Sequence, residues 1–364
     1  MVIQPQDYAH MDRALMLAER GRGQTSPNPM VGAVVVSADG GVIASGYHER
    51  AGEPHAEIKA LRAAPEEGVR GATLYCTLEP CCHAGRTGPC VDRIESAGIG
   101  RVVAAVQDPN PLVAGAGFAH LRAHGIEVEV GVRRRTAALQ NRAFFTFVRE
   151  SRPFVILKAA TSSDGRIAER PGVRTALSSV AAIRHAHGVR AEVDAIGVGS
   201  GTVLVDDPLL TAREVYRHRP LTRVVFDRRL RTPPSARLFS TVDHGPVILF
   251  TDRRTADACP DRVSALQAVG AQVEPCEDLP GALRQLGERG ITSLVLEGGA
   301  ALHQAAWNAG VVDYVQVYIT PRFIGESGVP FLRERSLSLV ALADSRTTVC
   351  GPDVLVEGYV HRVD

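Results

Sequence analysis

The sequence predicts an α/β protein of two domains, and its length, its alternating patterns and one proline carry that prediction. The chain has 364 residues, and since domains commonly hold about 150 residues, two or more are expected. Helical and extended patterns alternate along both halves, as in layered α/β folds. A boundary is expected near Pro153, which follows a charged run without the glycine and serine of a flexible linker. We therefore predict domains over 1–150 and 151–364.

The first half alternates helix and strand. Apolar residues recur at helical spacing from Asp7, and Gly21 closes that pattern. The elements predicted in order are helix Asp7–Gly21, strand Val31–Val36, helix His55–Ala64, strand Thr73–Thr77, helix Cys90–Ala97, strand Val102–Ala105, helix Phe118–His124 and strand Ile126–Val130.

The second half repeats this alternation. Helices are predicted over Gly281–Gly290 and Ala300–Ala309. The predicted strands are Phe154–Ala159, Ala195–Val198, Leu221–Phe226, Val247–Phe250, Ser293–Leu296 and Val315–Ile319. Because these strands are almost continuously apolar, we expect a sheet that is covered on both faces.

Charge and cysteine content exclude several classes of protein. Lysine and arginine total 41 and aspartate and glutamate 40, a formal charge of +1, which argues against binding nucleic acid or a membrane by charge alone. The first residues lack the order of a signal peptide, and no apolar run approaches the ~18 residues of a membrane span. The seven cysteines are an odd number, which disfavours a secreted disulfide scaffold. A soluble cytoplasmic protein is expected.

The most specific local pattern is a candidate zinc site. His55, Cys81 and Cys90 supply one imidazole and two thiolates, and a catalytic zinc keeps three protein ligands and one open position. Glu57 follows the histidine by two residues and is therefore expected beside the open position. Zinc lowers the pKa of bound water to about 7, and a nearby carboxylate can pass that proton to a leaving amine. The set predicts hydrolytic deamination of an aromatic ring carbon.

Each of these residues alone has a simpler interpretation, a helix cap for the histidine and core thiols for the cysteines. Cys81 is preferred to Cys82 as the ligand because Pro80 precedes it. Cys76 is expected in the core. The scattered Cys259, Cys276 and Cys350 are expected to be buried thiols.

Longer motifs in the first half point to a family. Typical zinc-dependent nucleotide deaminases separate the two cysteines by two residues, whereas here eight intervene. With that spacing, the motifs TLEPCCHAGRTGPC (Thr77–Cys90), PNPMVGAVV (Pro27–Val35), GYH (Gly46–His48) and DPNPLVAGAG (Asp108–Gly117) closely resemble the bifunctional riboflavin-biosynthesis deaminase/reductase family.

The resemblance implies a cytidine-deaminase-like three-layer domain that acts on 2,5-diamino-6-(5-phosphoribosylamino)pyrimidin-4(3H)-one. In it His55, Cys81 and Cys90 would hold zinc and Glu57 would be catalytic. Asn28, His48 and His83 would line the substrate pocket. For Asn28 a turn between two prolines is the competing interpretation.

The residues of the second half are less specific by themselves. Gly197–Thr202 follows a strand but is not a full dinucleotide-binding fingerprint. Gly298 and Gly299 lie between a strand and a helix, where backbone amides can face a diphosphate. Lys158 lies within an apolar stretch, and both a strand-end lysine reaching water and a substrate role remain open.

The family resemblance extends over LKAATSSDGRIA (Leu157–Ala168), DAIGVGSGTVLVDDPLLTAR (Asp194–Arg213) and LEGGAALHQA (Leu296–Ala305). It implies a dihydrofolate-reductase-like domain in which NADPH reduces the ribosyl group of 5-amino-6-(5-phosphoribosylamino)uracil to ribityl. The implied substrate positions are Lys158, Arg174, Arg190, Leu210, Arg213 and Glu297. The implied cofactor positions are Ala160, Ala176, Thr202, Asp206, Arg228, Gly299, Ala300 and Ala301. Arg190 and Arg213 suit the 5′-phosphate because a guanidinium binds it bidentately.

Three of the implied site positions depart from the family pattern. Ala176 replaces a tryptophan, Arg174 a small polar residue and Arg228 a serine. They motivate an alternative in which an active deaminase carries a non-catalytic substrate-binding or oligomerisation module. A deaminase acting on tRNA is a third possibility, disfavoured by the neutral charge and the eight-residue cysteine gap. The expected partners are small phosphorylated pyrimidines, with neither nucleic acid nor membrane. The family is often oligomeric, so a homo-oligomer is an open prediction.

Overall fold

A computed structural model describes residues 3–83, 88–332 and 338–361. The chain divides into two compact units, of which the first ends at Glu150 and the second begins at Ser151. Among the described residues, no helix is both long and apolar enough to cross a membrane.

The first unit is built on a five-stranded sheet with strand order β2-β1-β3-β4-β5. The strands are β1 (Gly32–Val36), β2 (Val42–Tyr47), β3 (Thr73–Cys76), β4 (Arg101–Ala104) and β5 (Glu127–Val130). The helices are α1 (Pro5–Glu19), α2 (Ala56–Ala63), α3 (Glu66–Val69), α4 (Cys90–Ser96), α5 (Ala116–Ala123), α6 (Arg134–Gln140) and α7 (Arg142–Glu150). The pairs β1–β2 and β1–β3 are antiparallel, while β3–β4 and β4–β5 are parallel.

Close packing of α1 on β1 anchors this sheet. All five residues of β1 are buried, as a fully apolar strand requires. A side chain at Gly32 would overlap the carbonyl oxygen of Ala14, so only glycine allows this approach. Asp7 is buried in the same helix and accepts a hydrogen bond of 2.7 Å from the Tyr75 hydroxyl and two from Arg101. These bonds satisfy a carboxylate that would otherwise be costly to bury.

The second unit is built on a nine-stranded sheet with order β11-β10-β9-β8-β12-β6-β13-β16-β15. Its strands are β6 (Phe154–Thr161), β8 (Ala195–Gly199), β9 (Thr222–Phe226), β10 (Val247–Thr251), β11 (Ala271–Pro275), β12 (Ser293–Leu296), β13 (Tyr314–Ile319), β15 (Ala343–Cys350) and β16 (Asp353–Tyr359). A small separate pair is β7 (Arg166–Ala168) with β14 (Val329–Pro330). The helices are α8 (Val180–Glu192), α9 (Ser200–Asp206), α10 (Arg253–Ala258), α11 (Pro260–Ala268), α12 (Leu279–Glu288) and α13 (Ala300–Asn308).

Parallel strands at the middle of this sheet place the second candidate site. β8, β12, β6 and β13 are consecutive parallel neighbours, and all four residues of β12 are buried. In parallel sheets ligands bind beyond the carboxyl ends of the strands. α9 starts directly after β8, and three residues separate the end of β12 from the start of α13, so both helices begin at that edge.

Candidate functional site

The three predicted zinc ligands of the first unit lie together. His55 is the residue before α2, Cys90 is the first residue of α4, and Cys81 lies in the segment between β3 and α4. The His55 Nδ1 atom is 3.2 Å from Cys90 Sγ and 3.5 Å from Cys81 Sγ, and the three ligand atoms lie within 4.8 Å of one another. One imidazole and two thiols at this spacing fit a tetrahedral zinc ion with one open position.

The thiol electrostatics favour metal binding. Hydrogen bonding from the Cys90 thiol and then from His55 lowers the pKa of Cys81 to about 4, against the opposing effect of burial. The Cys90 backbone N–H also donates to Cys81 Sγ, at 3.4 Å. The thiol hydrogen bond and burial raise the pKa of Cys90. Cys81 is therefore the thiolate of the pair, and thiolate is the form that binds metal.

Glu57 lies in the first turn of α2, two residues from the cluster. Its side chain is buried, and Oε2 has no hydrogen-bond partner among the described residues. Burial raises the pKa of this carboxyl to about 7, although the neighbouring His55 opposes the shift. Such a group can hold or release a proton near neutral pH, as a general acid–base requires.

A cavity of about 400 Å³ opens beside this cluster. Among its lining residues are the predicted Asn28, His48 and His83. Asn28 Nδ2 is 3.1 Å from His48 Nε2, and the other ring nitrogen of that histidine is 3.3 Å from the Pro54 carbonyl oxygen. The Asn28 backbone N–H also donates to Thr25 at 2.9 Å, closing a turn. Asn28 therefore forms a turn and also lines the cavity, and its role in binding substrate stays a prediction.

The same cavity holds residues that the sequence interpretation did not assign. Asp108 and Asn110 line it, and burial raises the pKa of Asp108 to about 6. Buried Glu79 accepts hydrogen bonds from the N–H groups of Asp108, Gly115 and Phe118 at 2.9–3.2 Å, which fixes the segment. The sequence feature that could have indicated these residues is the polar tripeptide DPN (108–110), which follows the buried strand β4 closely.

The remaining cysteines are separate from this cluster. Cys76 is buried, as expected, and Cys82 Sγ lies 3.9 Å from the Leu112 carbonyl oxygen. Of the three scattered cysteines only Cys350 is buried; Cys276 is half-buried and Cys259 is exposed. The expectation of three buried thiols was therefore wrong, since Cys259 lies between two short surface helices.

In the second unit, Glu297 brings two predicted residues together. It directly follows β12, and its carboxylate accepts from Arg190 Nε at 2.7 Å and from Arg190 Nη2 at 2.8 Å. Lys158 Nζ lies 3.4 Å from the same carboxylate. Burial alone would raise the pKa of Glu297, but the two cations outweigh it and hold this pKa far below its usual range.

The position of Lys158 decides one open alternative. It is the fifth of eight residues in β6 and pairs with Gln316 in the sheet interior. Its side chain is 16% exposed, so it is not a strand-end lysine reaching water. The ammonium lies 5.3 Å from the centre of the Tyr318 ring, and the Tyr318 hydroxyl is 2.8 Å from His185 Nδ1. Tyr318 and His185 were not predicted, because neither lies in a recognised motif.

Arg213 and Leu210 lie on the segment that follows α9. The Arg213 backbone N–H donates to His187 Nδ1 at 2.9 Å, while Arg190 Nη1 donates to the neighbouring Thr211 carbonyl oxygen at 3.0 Å. Burial and the two arginines lower the pKa of His187 to about 4. Leu210 is buried with a φ of 55°, a conformation that side-chain-bearing residues rarely adopt.

The predicted cofactor positions divide into two groups. Thr202 and Asp206 lie on α9, and Gly299, Ala300 and Ala301 begin α13. A Cβ added at Gly299 would lie 3.8 Å from Thr202 Oγ1, so the two helix starts are adjacent. Ala160 lies near the end of β6, opposite Tyr318. The first N–H groups of a helix lack intrahelical partners and can bind phosphate oxygens, so this edge fits a dinucleotide diphosphate.

The three departures from the family pattern lie at exposed positions. Arg174 is exposed and close enough to Asp206 to oppose the burial that raises the pKa of that carboxyl. The carbonyl oxygen of exposed Ala176 accepts from Arg322 at 3.2 Å. Arg228 is 83% exposed, 4.0 Å from Asp252. Their roles remain predictions.

Comparisons with known proteins show what the two halves of the chain are similar to. Two family profiles match the chain: cytidine and deoxycytidylate deaminase zinc-binding region over residues 4–106, and RibD C-terminal domain over residues 153–356. The riboflavin biosynthesis protein RibD of Aquifex aeolicus is 41% identical over 322 residues, covering 88% of each chain. RibD of Escherichia coli is 41% identical over 332 residues, covering 88% of this chain and 89% of the relative.

Solved structures extend the likeness to the fold. RibD of Acinetobacter baumannii superposes with a TM-score of 0.86 at 33% identity, covering 98% of this chain and 99% of that one. A diaminohydroxyphosphoribosylaminopyrimidine deaminase/5-amino-6-(5-phosphoribosylamino)uracil reductase of Thermotoga maritima superposes with a TM-score of 0.82 at 35% identity, covering 96% and 97%. The predicted fold class is confirmed.

Proposed function

The chain belongs to the family of bifunctional riboflavin-biosynthesis deaminase/reductases, and from that premise we propose which side chains carry the two reactions. Its N-terminal half is a zinc-dependent deaminase and its C-terminal half an NADPH-dependent reductase. The Thermotoga maritima protein is named for a phosphoribosylated diaminopyrimidine and its uracil counterpart, and we propose the corresponding two substrates here. A cytoplasmic location and a homo-oligomer stay predictions.

For the deaminase, His55, Cys81 and Cys90 would hold zinc, since they supply three suitable ligand atoms within 4.8 Å of one another. When bound, zinc supplies Lewis acidity that lowers the pKa of water. Glu57 takes a proton from the attacking water at Oε2 and passes it to the leaving amino group. The observation that supports this proposal is the buried Glu57 carboxylate, whose Oε2 has no hydrogen-bond partner among the described residues. Its pKa of about 7 lets it both accept and release a proton at neutral pH.

Substrate recognition in the deaminase is assigned to the polar lining of the cavity. Asn28 and His48 form one hydrogen-bonded pair beside the cluster. Burial lowers the pKa of His48; the neutral ring accepts from Asn28 at Nε2 and donates to the Pro54 carbonyl oxygen at Nδ1, so it orients the Asn28 amide toward the cavity. With Asp108 and Asn110 from the following segment, these groups would match the ring nitrogens and amino groups of a pyrimidine.

For the reductase, NADPH supplies the hydride when it is bound at the edge where α9 and α13 begin. The Lys158 ammonium lies 3.4 Å from Glu297, a longer contact than those of Arg190 with the same carboxylate. It can therefore still donate to a ligand, and we assign to it a hydrogen bond to the sugar of the substrate. Arg190 already donates two hydrogen bonds to Glu297, from Nε and from Nη2. We therefore assign the 5′-phosphate to Arg213, with Arg190 positioning the carboxylate.

A two-step assay tests this function. The purified enzyme, given the diaminopyrimidine substrate, should release ammonia, and given the deaminated product with NADPH it should oxidise the cofactor. Ammonia release without NADPH oxidation would instead support the alternative of a non-catalytic C-terminal module.

A further inference from the structure

Two histidines and two carboxylates cluster on the first unit, away from the deaminase cavity. His120 lies on α5 and His124 caps its C-terminus, so the two residues share one helix face. Their rings are stacked with centroids 4.3 Å apart. Glu95, in the last turn of α4, places Oε2 3.4 Å from His120 Nε2 and 3.8 Å from His124 Nε2.

Both Nε2 atoms face the Glu95 carboxylate. His124 Nδ1 lies 2.8 Å from the His120 carbonyl oxygen and must donate to it, which leaves the Nε2 lone pair of the neutral ring available. His120 Nε2 is shielded from solvent and faces the Glu95 carboxylate at 3.4 Å, although that contact does not have hydrogen-bond geometry. An ion or a water shared between the nitrogen and the carboxylate would satisfy both groups.

The spacing also suits one metal ion. Ligands that lie ~2.0–2.1 Å from zinc at tetrahedral angles stand roughly 3.3–3.5 Å apart. The three ligand atoms lie within 4.8 Å of one another, and the two histidine–glutamate distances of 3.4 and 3.8 Å are close to that ideal. Asp92 Oδ1, 4.0 Å from His120 Nε2, offers a fourth ligand atom.

We propose that Glu95, His120 and His124 form a second metal site, for a divalent transition ion of the zinc type. Two imidazoles with one carboxylate favour Zn²⁺, Cu²⁺ or Ni²⁺ over Mg²⁺ and Ca²⁺, which prefer oxygen ligands alone. The site joins α4 to α5, and α4 begins at the proposed catalytic ligand Cys90. A metal bound there would fix the C-terminal end of α4, the helix that begins at Cys90.

The test compares zinc content between variants of the full-length enzyme. Zinc-loaded protein is dialysed against a weak chelator that buffers free Zn²⁺ in the micromolar range, and zinc per chain is measured by atomic emission. Wild type should retain one zinc per chain more than the double variant His120→Gln/His124→Gln. Glu95→Gln, which keeps the size of the side chain, should weaken binding of the extra ion at least about tenfold.

The matched control is His218→Gln/His361→Gln, which removes two exposed histidines outside the cluster and should keep the wild-type zinc content. Because the readout is a difference between variants, it does not depend on whether the deaminase site is correctly assigned. Equal zinc content in wild type and in His120→Gln/His124→Gln would overturn the proposal.

Discussion

Two buried glutamates, one in each unit, show how differently the same side chain can be used. Glu57 lies beside the cysteine–histidine cluster with Oε2 unpartnered among the described residues, and burial raises its pKa to about 7. The Glu297 side chain is 9% exposed, but it lies between Arg190 and Lys158, and their charges overcome burial and keep its pKa far below the usual range.

The difference separates a proton carrier from a fixed charge. A carboxyl with a pKa near 7 gains and loses its proton at little cost at neutral pH, which suits the transfer between water and a leaving amine. A carboxylate held between two cations stays ionised and instead orients those cations. The deaminase site thus moves a proton, while the reductase site holds charges in place for a substrate and a cofactor.

The largest effect is expected when one of the two cations beside Glu297 is removed, because this carboxylate, unlike that of Glu57, is stabilised by its charged partners. Arg190→Met leaves a buried carboxylate with Lys158 as its remaining described cation, and truncating a buried ion pair costs about 3–5 kcal/mol. Trp307, the only tryptophan of the sequence, lies on α13 in the second unit, so its fluorescence during urea unfolding reports on this unit. The control Arg184→Met changes an exposed arginine of the same helix. Equal stability losses in the two variants would contradict the account.

The cluster beside Glu57 should depend on one particular cysteine. Cys81→Ser replaces a ligand thiolate by a hydroxyl, and we expect zinc affinity to fall about 100-fold, or about 2.7 kcal/mol. Cys82→Ser, one residue away and outside the ligand cluster, is the control and should keep its zinc. Metal analysis after dialysis distinguishes them, and the reverse result would shift the ligand assignment by one residue.

A smaller, pH-dependent effect is expected from His303, which is buried in the second unit. Burial lowers its pKa from 6.5 to about 4. Between these values the unfolded chain binds more protons than the folded one, so stability falls as pH falls. From pH 7 to pH 5 the loss is about 2 kcal/mol.

Urea titrations followed by Trp307 at both pH values measure this loss. The leucine of His303→Leu cannot be protonated. Between pH 7 and pH 5 the free energy of unfolding of this variant should therefore fall by about 2 kcal/mol less than that of wild type. His187 contributes with the same sign in both proteins and cancels in the difference. An unchanged pH dependence in the variant would refute the burial argument.

The two sites were predictable to different degrees. His55, Glu57, Cys81 and Cys90 have chemistry that few other arrangements share. The structure brings the three predicted ligands together, beside a cavity that is lined by His55, Glu57 and Cys81. The reductase residues come from β6, α8, β12 and the segment after α9. Only the order of the parallel strands brings them together, and their residue types alone are not specific.

Missed elements have physical causes as well. The residues of α8 buried in the structure are Ala182, Ala186 and His187, too small or too polar to produce a clear hydrophobic periodicity. β15 is an edge strand whose residues are mostly exposed, so it lacks the apolar pattern of the central strands. Tyr318 and His185, which were also missed, act through contacts between β13 and α8 that no local pattern records.

Glu57→Gln tests the central claim most directly, with ammonia release and NADPH oxidation measured on the same preparation. We expect deamination to fall about 10²–10⁴-fold, zinc content to stay at the wild-type value, and NADPH oxidation with supplied deaminated pyrimidine to be unchanged. Glu66→Gln, at an exposed glutamate, should leave both activities intact. Deamination by Glu57→Gln at the wild-type rate would contradict the assignment of Glu57 as the proton carrier.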